Sequence, residues 1–359
     1  MRRAAGVGVP GAVAEAETPV ASTPRPRHPA PRRPAERTTA SGWSLADADA
    51  RARPTPPPHV PVMLERCLDA LAILPDAWLV DATFGAGGHT RALLARGARV
   101  LAIDQDPLAV AHVEALRDDL RHAGVEAPDE RFRFANGNFR DLRLHVEAAG
   151  VGPVRGVLLD LGVSSMQLDE GDRGFAFRHD GPLDMRMAAE GPSAADLVRE
   201  ASFEELAAWL HRYGEERHSR RLARAIVAAR EAAPITTTGR LAEVIQAAYP
   251  AGPRRDHPAR RTFQALRLVV NDELGALDAA LNAAADMLAP AGRLVVLAYH
   301  SLEDRIAKRT LRDRRDLRPL QKRPLEPTEA EIAANPRARS AKLRAAEKLD
   351  PPTAPEAHA

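Results

Sequence analysis

An α/β fold of the doubly wound, Rossmann-like class is predicted by three observations. An apolar run, Trp78-Leu-Val80, ends in Asp81 and leads into a glycine-rich turn and a helical pattern from Arg91. A second apolar run, Val100-Leu-Ala-Ile103, ends in Asp104. Helix-type and strand-type periods then alternate as far as Asp160. Strand, glycine turn, helix and an acid at the next strand end form the nucleotide-binding entry of such sheets. Their alternation implies parallel strands joined by right-handed crossovers.

In chain order, residues 1–57 are rich in proline, arginine, alanine and threonine. Pro24-Arg-Pro26-Arg-His-Pro29 and Pro54-Thr-Pro56-Pro57-Pro58 suit neither helix nor strand, so a disordered arm is predicted. The first part of the core, 58–164, reads as helix 63–71, strand 78–81, helix 90–96, strand 99–103 and helix 107–121, with Pro107 in the first turn. Strand 132–135, a helix within 141–149 and strand 156–160 complete a βαβαβαβ run. From 165 to 288 the strand signal vanishes. Helices are predicted at 203–213, 215–230, 238–248, 261–270 and 272–288, forming an all-helical insertion. The core resumes over 289–347 with strand Arg293-Leu-Val-Val-Leu-Ala-Tyr299, a basic helix at 301–312 and a last strand near 342–346. A second disordered tail is expected at 348–359.

Composition narrows the function classes. The chain has 359 residues and 45% hydrophobic content, enough for a sizeable core. At 4% aromatics, leucine, valine and alanine must do most of the packing. The lone Cys67 excludes a disulfide framework and a cysteine-ligated metal site, and its apolar surroundings mark it as a small core residue. No apolar run reaches the roughly eighteen residues of a membrane span, and no signal-peptide core follows the first arginines. A cytoplasmic protein without membrane or metal partners is expected. The net charge of +2 conceals basic clusters: Arg217, Arg220, Arg221 and Arg224; Arg254, Arg255, Arg260 and Arg261; and a dense run from Arg305 to Arg323. These suit a polyanion such as RNA, or are simply solvated faces.

The glycine turn discriminates between cofactors. Gly85-Ala-Gly87-Gly88-His89-Thr90 places threonine where a dinucleotide site needs its last glycine. The pattern D-x-x-x-G-x-G-G resembles that of Rossmann-like class I S-adenosylmethionine-dependent methyltransferases, and Asp104 is placed to take both ribose hydroxyls.

Ten ordered segments carry a closer resemblance. They are His59-Val-Pro-Val-Met-Leu64, Asp81-Ala-Thr-Phe-Gly-Ala-Gly-Gly-His89, Ala102-Ile-Asp-Gln-Asp-Pro107, Leu158-Leu-Asp-Leu-Gly-Val-Ser-Ser165, Arg173-Gly-Phe-Ala-Phe177, Gly181-Pro-Leu-Asp-Met-Arg-Met187, Tyr213-Gly-Glu-Glu-Arg217, Arg261-Thr-Phe-Gln-Ala-Leu-Arg267, Tyr299-His-Ser-Leu-Glu-Asp304 and Asn335-Pro-Arg-Ala-Arg-Ser340. From about His59 to about Glu347 the chain resembles the bacterial small-subunit (16S) ribosomal RNA cytosine-N4 methyltransferase family. The resemblance implies S-adenosyl-L-methionine as cofactor and 16S rRNA of the assembled small subunit, at its decoding region, as substrate. It implies that Gly87, Gly88 and His89 line the methionine moiety, that Asp104 takes the ribose and that Phe139 sits against adenine, with Gly85 a further cofactor-binding glycine of the turn. Asp160 and Gln167 would complete that site, with the helical insertion and the basic helix as RNA-facing walls. Phe139 as a core residue and His89 as a plain helix-start residue remain competing readings.

Cytosine N4 is a poor nucleophile because its lone pair is delocalised, so the protein must align it and accept a hydrogen. DNA amino-methyltransferases use a D/N/S-P-P-Y-type tetrapeptide after the fourth strand. Here that stretch is Asp160-Leu-Gly-Val163, without the prolines or the aromatic. Asp160 is the first candidate acceptor, Ser164 or Ser165 the next. His300, at the end of a later strand, either faces the same cleft or makes a structural hydrogen bond. The loop 181–187 is placed over the active site, with Asp184 and Arg186 as polar candidates, or merely packs its two methionines. Methylation of another RNA, of DNA or of protein, and a non-catalytic role in ribosome assembly, are the alternatives.

Overall fold

The computed structural model describes residues 61–125, 127–252 and 256–350. They lie in one compact unit, Thr39–Ala359; the other unit, Met1–Thr38, is outside the described residues. So are the expected arm at 1–57, most of the tail, and Arg254 and Arg255 of one basic cluster.

Seven strands form one sheet: β1 (Trp78–Asp81), β2 (Arg99–Asp104), β3 (Phe132–Asn136), β4 (Val154–Asp160), β5 (Leu288–Ala298), β6 (Leu317–Pro319) and β7 (Lys342–Lys348). Their order is β3-β2-β1-β4-β5-β7-β6. The first five are mutually parallel, and β7 runs antiparallel to both β5 and β6. The chain leaves the sheet centre in one direction after β1 and in the other after β3. The carboxyl ends of β1 and β4 therefore flank a topological switch point, where open α/β sheets hold ligands.

Both faces of the sheet are dry. Val80, Ile103, Val157, Leu159 and Val296 point into one core layer. Leu79, Ala102, Leu158, Val295 and Leu297 point into the other. Two-sided burial explains why these strands read as continuous apolar runs rather than alternating ones. Helices α1 (Leu64–Leu71), α2 (Gly88–Ala95) and α3 (Ala109–His122) cover the second layer. Cys67 is wholly buried there. The short α4 (Pro128–Arg131) precedes β3, and α5 (Leu142–Ala149) covers the first layer.

After β4 the chain builds a separate helical core from α6 (Ser165–Asp169), α7 (Ala194–Glu200), α8 (Phe203–Arg212), α9 (Ser219–Ala232), α10 (Thr238–Ala248) and α11 (Ala259–Val270). Val198, Leu206, Leu210, Leu222, Ile226, Leu241, Ile245 and Leu266 pack together there. Serine caps with a glutamine or acid three residues on start α6, α7 and α8, satisfying their first amides. Helix α9 begins four residues later than the period predicts. Gly214 passes so close to the Arg261 carbonyl that a Cβ would sit 2.7 Å from it, and Glu215 turns through φ 49°, so the helix cannot start there.

Helix α12 (Glu273–Met287) is different. Leu277, Ala280, Leu281, Ala284 and Ala285 lie against the sheet, in the same layer as α5 and α13 (Ser301–Asp313). It is the crossover helix into β5. Strand β5 starts earlier than the apolar run suggests, because Pro290 and Gly292 interrupt its first half. Edge strand β6 is three residues long and ends in proline, which leaves almost no period to read. A last short helix, α14 (Glu329–Ala334), precedes β7. Among the described residues no helix is long and apolar enough to cross a membrane.

Candidate functional site

A cavity of about 500 Å³ opens at the carboxyl ends of β1, β2, β4 and β5, within the roughly 300–1,000 Å³ range of small-molecule sites. Its floor is the turn after β1. Asp81, fully buried, accepts hydrogen bonds from the Thr83 amide (3.2 Å) and from Thr90 Oγ1 (2.7 Å), so it ties the two ends of the glycine turn together. Burial pushes its carboxyl up from the usual range, with nearby His89 and the Thr90 hydroxyl opposing that shift.

Two glycines of the turn are sterically required. Gly87 sits at φ 78°, and a Cβ there would lie 2.8 Å from the buried Phe84 ring; at Gly88 it would lie 2.5 Å from Pro61 Cγ. Gly87→Ala is expected to cost about 1–3 kcal/mol of stability through the left-handed backbone alone. Urea unfolding checks this, and an unchanged midpoint would contradict the assigned strain.

Asp104 ends β2 with both carboxylate oxygens on main-chain amides: Oδ2 on Gly85 (2.7 Å) and Oδ1 on Asp106 (2.9 Å). Each oxygen keeps a lone pair for a further donor. Burial raises this carboxyl to about 6, against the pull of those two amides. Asp106 beyond it is also buried and accepts from Gln167 Nε2 (2.6 Å) and Arg173 Nη1 (3.1 Å). Arg173 also donates to the carbonyls of Arg186 and Met187. One guanidinium thus fastens the 181–187 loop to the end of β2.

Asp160 ends β4. Its amide donates to Thr83 Oγ1 (2.7 Å), Oδ1 accepts from the Tyr299 hydroxyl (2.6 Å), and Oδ2 lies 3.7 Å from His89 Nδ1. Burial raises the Asp160 carboxyl; His89 and the Tyr299 hydrogen bond oppose that, while Asp81 and Glu303 reinforce it. The other nitrogen of His89, Nε2, is buried with no hydrogen-bond partner.

The remaining sequence candidates are distributed as follows. Gly85, Gly88, His89, Phe139, Gln167, Ser164 and His300 all line the cavity, with Asp104 and Asp160. Ser164 Oγ caps α6 by accepting from the Gln167 amide, so it already has a structural task. Ser165 opens α6, and its side chain is outside the described residues. His300 caps α13. Its Nδ1 accepts from the Glu303 amide (3.4 Å), and Nε2 lies 3.1 Å from Glu303 Oε1 without hydrogen-bond alignment. In the 181–187 loop Arg186 forks onto Asp184, Met185 is fully buried, and Met187 reaches the cavity wall.

The donor set fits S-adenosylmethionine. Asp104 offers two free lone pairs for vicinal hydroxyls, Phe139 offers a ring, the glycine turn offers backbone at the cavity wall, and His89 Nε2 is a buried atom in need of a partner. The family model of the MraW methylases matches residues 57–349. The chain belongs to the MraW methylase family. The ordered motifs had pointed to the same family. The ribosomal RNA small subunit methyltransferase H of Deinococcus radiodurans is 51% identical over 316 residues, covering 88% of this chain and 98% of its own. That of Deinococcus deserti is 52% identical, covering 81% and 93%. Among solved structures, an rRNA methylase from Streptococcus thermophilus aligns over 83% of this chain and 100% of its own, at TM-score 0.36 and 15% identity.

Several polar residues of this MraW methylase site lay inside quoted motifs without an assigned task. Tyr299 and Arg173 are two. Arg267 is a third: it reaches the cavity wall from α11 and holds buried Glu273 through Nε (2.8 Å) and Nη2 (3.0 Å). The cue was a charged or phenolic residue at the edge of an apolar segment. Only packing shows which neighbour it meets.

Proposed function

We propose that the chain is an S-adenosylmethionine-dependent methyltransferase that methylates N4 of one cytidine in 16S rRNA, at the decoding region of the small subunit. The supporting observation is Asp160, a partly buried carboxylate at the end of β4 that opens onto a cofactor-sized cavity with one oxygen committed to Tyr299. The names of the Deinococcus relatives supply the substrate class.

In this reading Asp104 holds the ribose hydroxyls, Phe139 lies against adenine, and Gly85, Gly88, His89 and Gln167 surround the amino-acid end, while Gly87, outside the cavity lining, shapes the turn against Phe84. When bound, the cofactor supplies a methyl group made electrophilic by its sulfonium. The target base leaves its stack and enters from the helical side, past Phe177, Phe263 and Arg267. Asp160 Oδ2 faces N4, aligns its lone pair and takes one of its hydrogens. Ser164 and His300, each engaged in a helix cap, shape the wall.

The test uses purified protein, tritiated S-adenosylmethionine, and small subunits from cells lacking the gene, with nucleosides of the labelled RNA separated by chromatography and mass. Label in N4-methylated cytidine is the expected result. Cofactor binding without label in that nucleoside would sink the reading.

A further inference from the structure

We propose that Tyr299 is the positioning residue for the base-facing carboxylate: its hydroxyl occupies Asp160 Oδ1 and so presents Oδ2 alone to the amino group of the target base. This rests on the function proposed above.

The geometry is specific. Tyr299 follows the last residue of β5 directly, and Asp160 ends the adjacent parallel strand β4, so two strand ends set their separation. The Tyr299 amide is itself anchored, donating to Glu303 Oε2 at 2.8 Å. The hydroxyl reaches Oδ1 at 2.6 Å, in the range of a charge-assisted O–H···O bond. Thr83 fixes the Asp160 backbone from the other side. Both side chains line the cavity, while among the described residues the polar group nearest Oδ2 is His89 Nδ1, at 3.7 Å, beyond a hydrogen bond. Around Asp160 the other titratable groups are His89 of α2, Asp81 of β1, Glu303 of α13 and Cys67 of α1. Three of these, if ionised, repel a carboxylate. The Tyr299 hydroxyl, with His89, favours one. As the N4–methyl bond forms and the sulfur–methyl bond breaks, an N4 proton passes to Oδ2, which must be ionised and correctly turned to receive it. Burial holds the phenol well above its ordinary value, so it remains a donor throughout the working range.

The test is Tyr299→Phe, which removes one oxygen and keeps the ring. With small subunits as substrate, kcat should fall by roughly tenfold or more. The acid limb of its pH profile should move to higher pH, because a carboxylate without that donor ionises later. KM for the cofactor should stay within about twofold. A second measurement needs no substrate. The chain has three tyrosines, so tyrosine labelled at Cζ alone gives three carbon resonances, with that of Tyr299 identified by its loss in Tyr299→Phe. It should shift with pH in the wild type and not in Asp160→Asn. Wild-type kcat and pH profile in Tyr299→Phe would overturn the proposal. So would a lower kcat with an unmoved profile, which indicates packing alone, and so would a pH-insensitive Tyr299 resonance. Failure of the wild type to methylate small subunits would instead overturn the function on which the proposal rests, with the resonance still reporting the pair.

Discussion

Asp160→Asn is expected to slow methyl transfer by roughly a hundred- to ten-thousand-fold, the range removed with a general base. The amide keeps the shape and can still accept from the Tyr299 hydroxyl, so the packing around β4 survives. In the function proposed above, what is lost is basicity at the atom facing N4. Cofactor affinity should change less than the rate, because the amide preserves the shape of the side chain. Stability gives an independent sign. Burial raises the Asp160 carboxyl above its unfolded value, so its contribution is present at low pH and lost as pH rises through the folded value. Asparagine lacks this loss, and the variant should gain stability relative to wild type on going from acid to neutral pH. Single-turnover rates on small subunits and melting curves at two pH values measure both effects. A wild-type rate in Asp160→Asn would transfer the acceptor role to Ser164 or His300.

Asp104→Ala should weaken cofactor binding on the order of a hundredfold or more, because two hydrogen bonds to a charged acceptor are removed at once. It also strands the amides of Gly85 and Asp106, so the glycine turn loosens with the loss. The pH behaviour distinguishes a carboxylate ligand from a merely structural one. With its carboxyl raised to about 6, Asp104 is largely ionised at pH 7.5 and largely protonated at pH 5. Hydroxyl donors favour the ionised form. Wild-type affinity should therefore fall as pH drops through about 6, and binding near that pH should release protons, detectable as a buffer-dependent heat. The sign in the free protein is the reverse: the raised value gives stability present below the unfolded value of 3.8 and lost as pH rises through about 6. Affinity that is flat from pH 5 to 8 would show that Asp104 does not hold the ribose.

Local signals located most of the residues that line the cavity. The glycine turn, Asp104 and Asp160 were legible because each sits at the junction of an apolar run and a polar residue, where a parallel strand ends. Ser164 was legible as a polar residue near the site, though its task as a helix cap was not. Helix α7 and strand β6 were illegible, being too short for a period to emerge. The role of α12 was hidden for another reason. Its alanine-rich stripe suits a helical core and a sheet face equally, and the sheet takes it.

By itself, then, the sequence determined the family, the order of the longer strands and helices, the glycine turn and the acids at the strand ends. All of these depend on residues close together in the chain, where period and backbone preference act directly. The tertiary structure alone decided which groups face one another: Tyr299 with Asp160 across 139 residues, Arg173 with Asp106 across 67, and Gln105 with Met187 across 82. Such pairs form only after the sheet has brought distant strand ends together and burial has removed the water that would otherwise solvate each group alone.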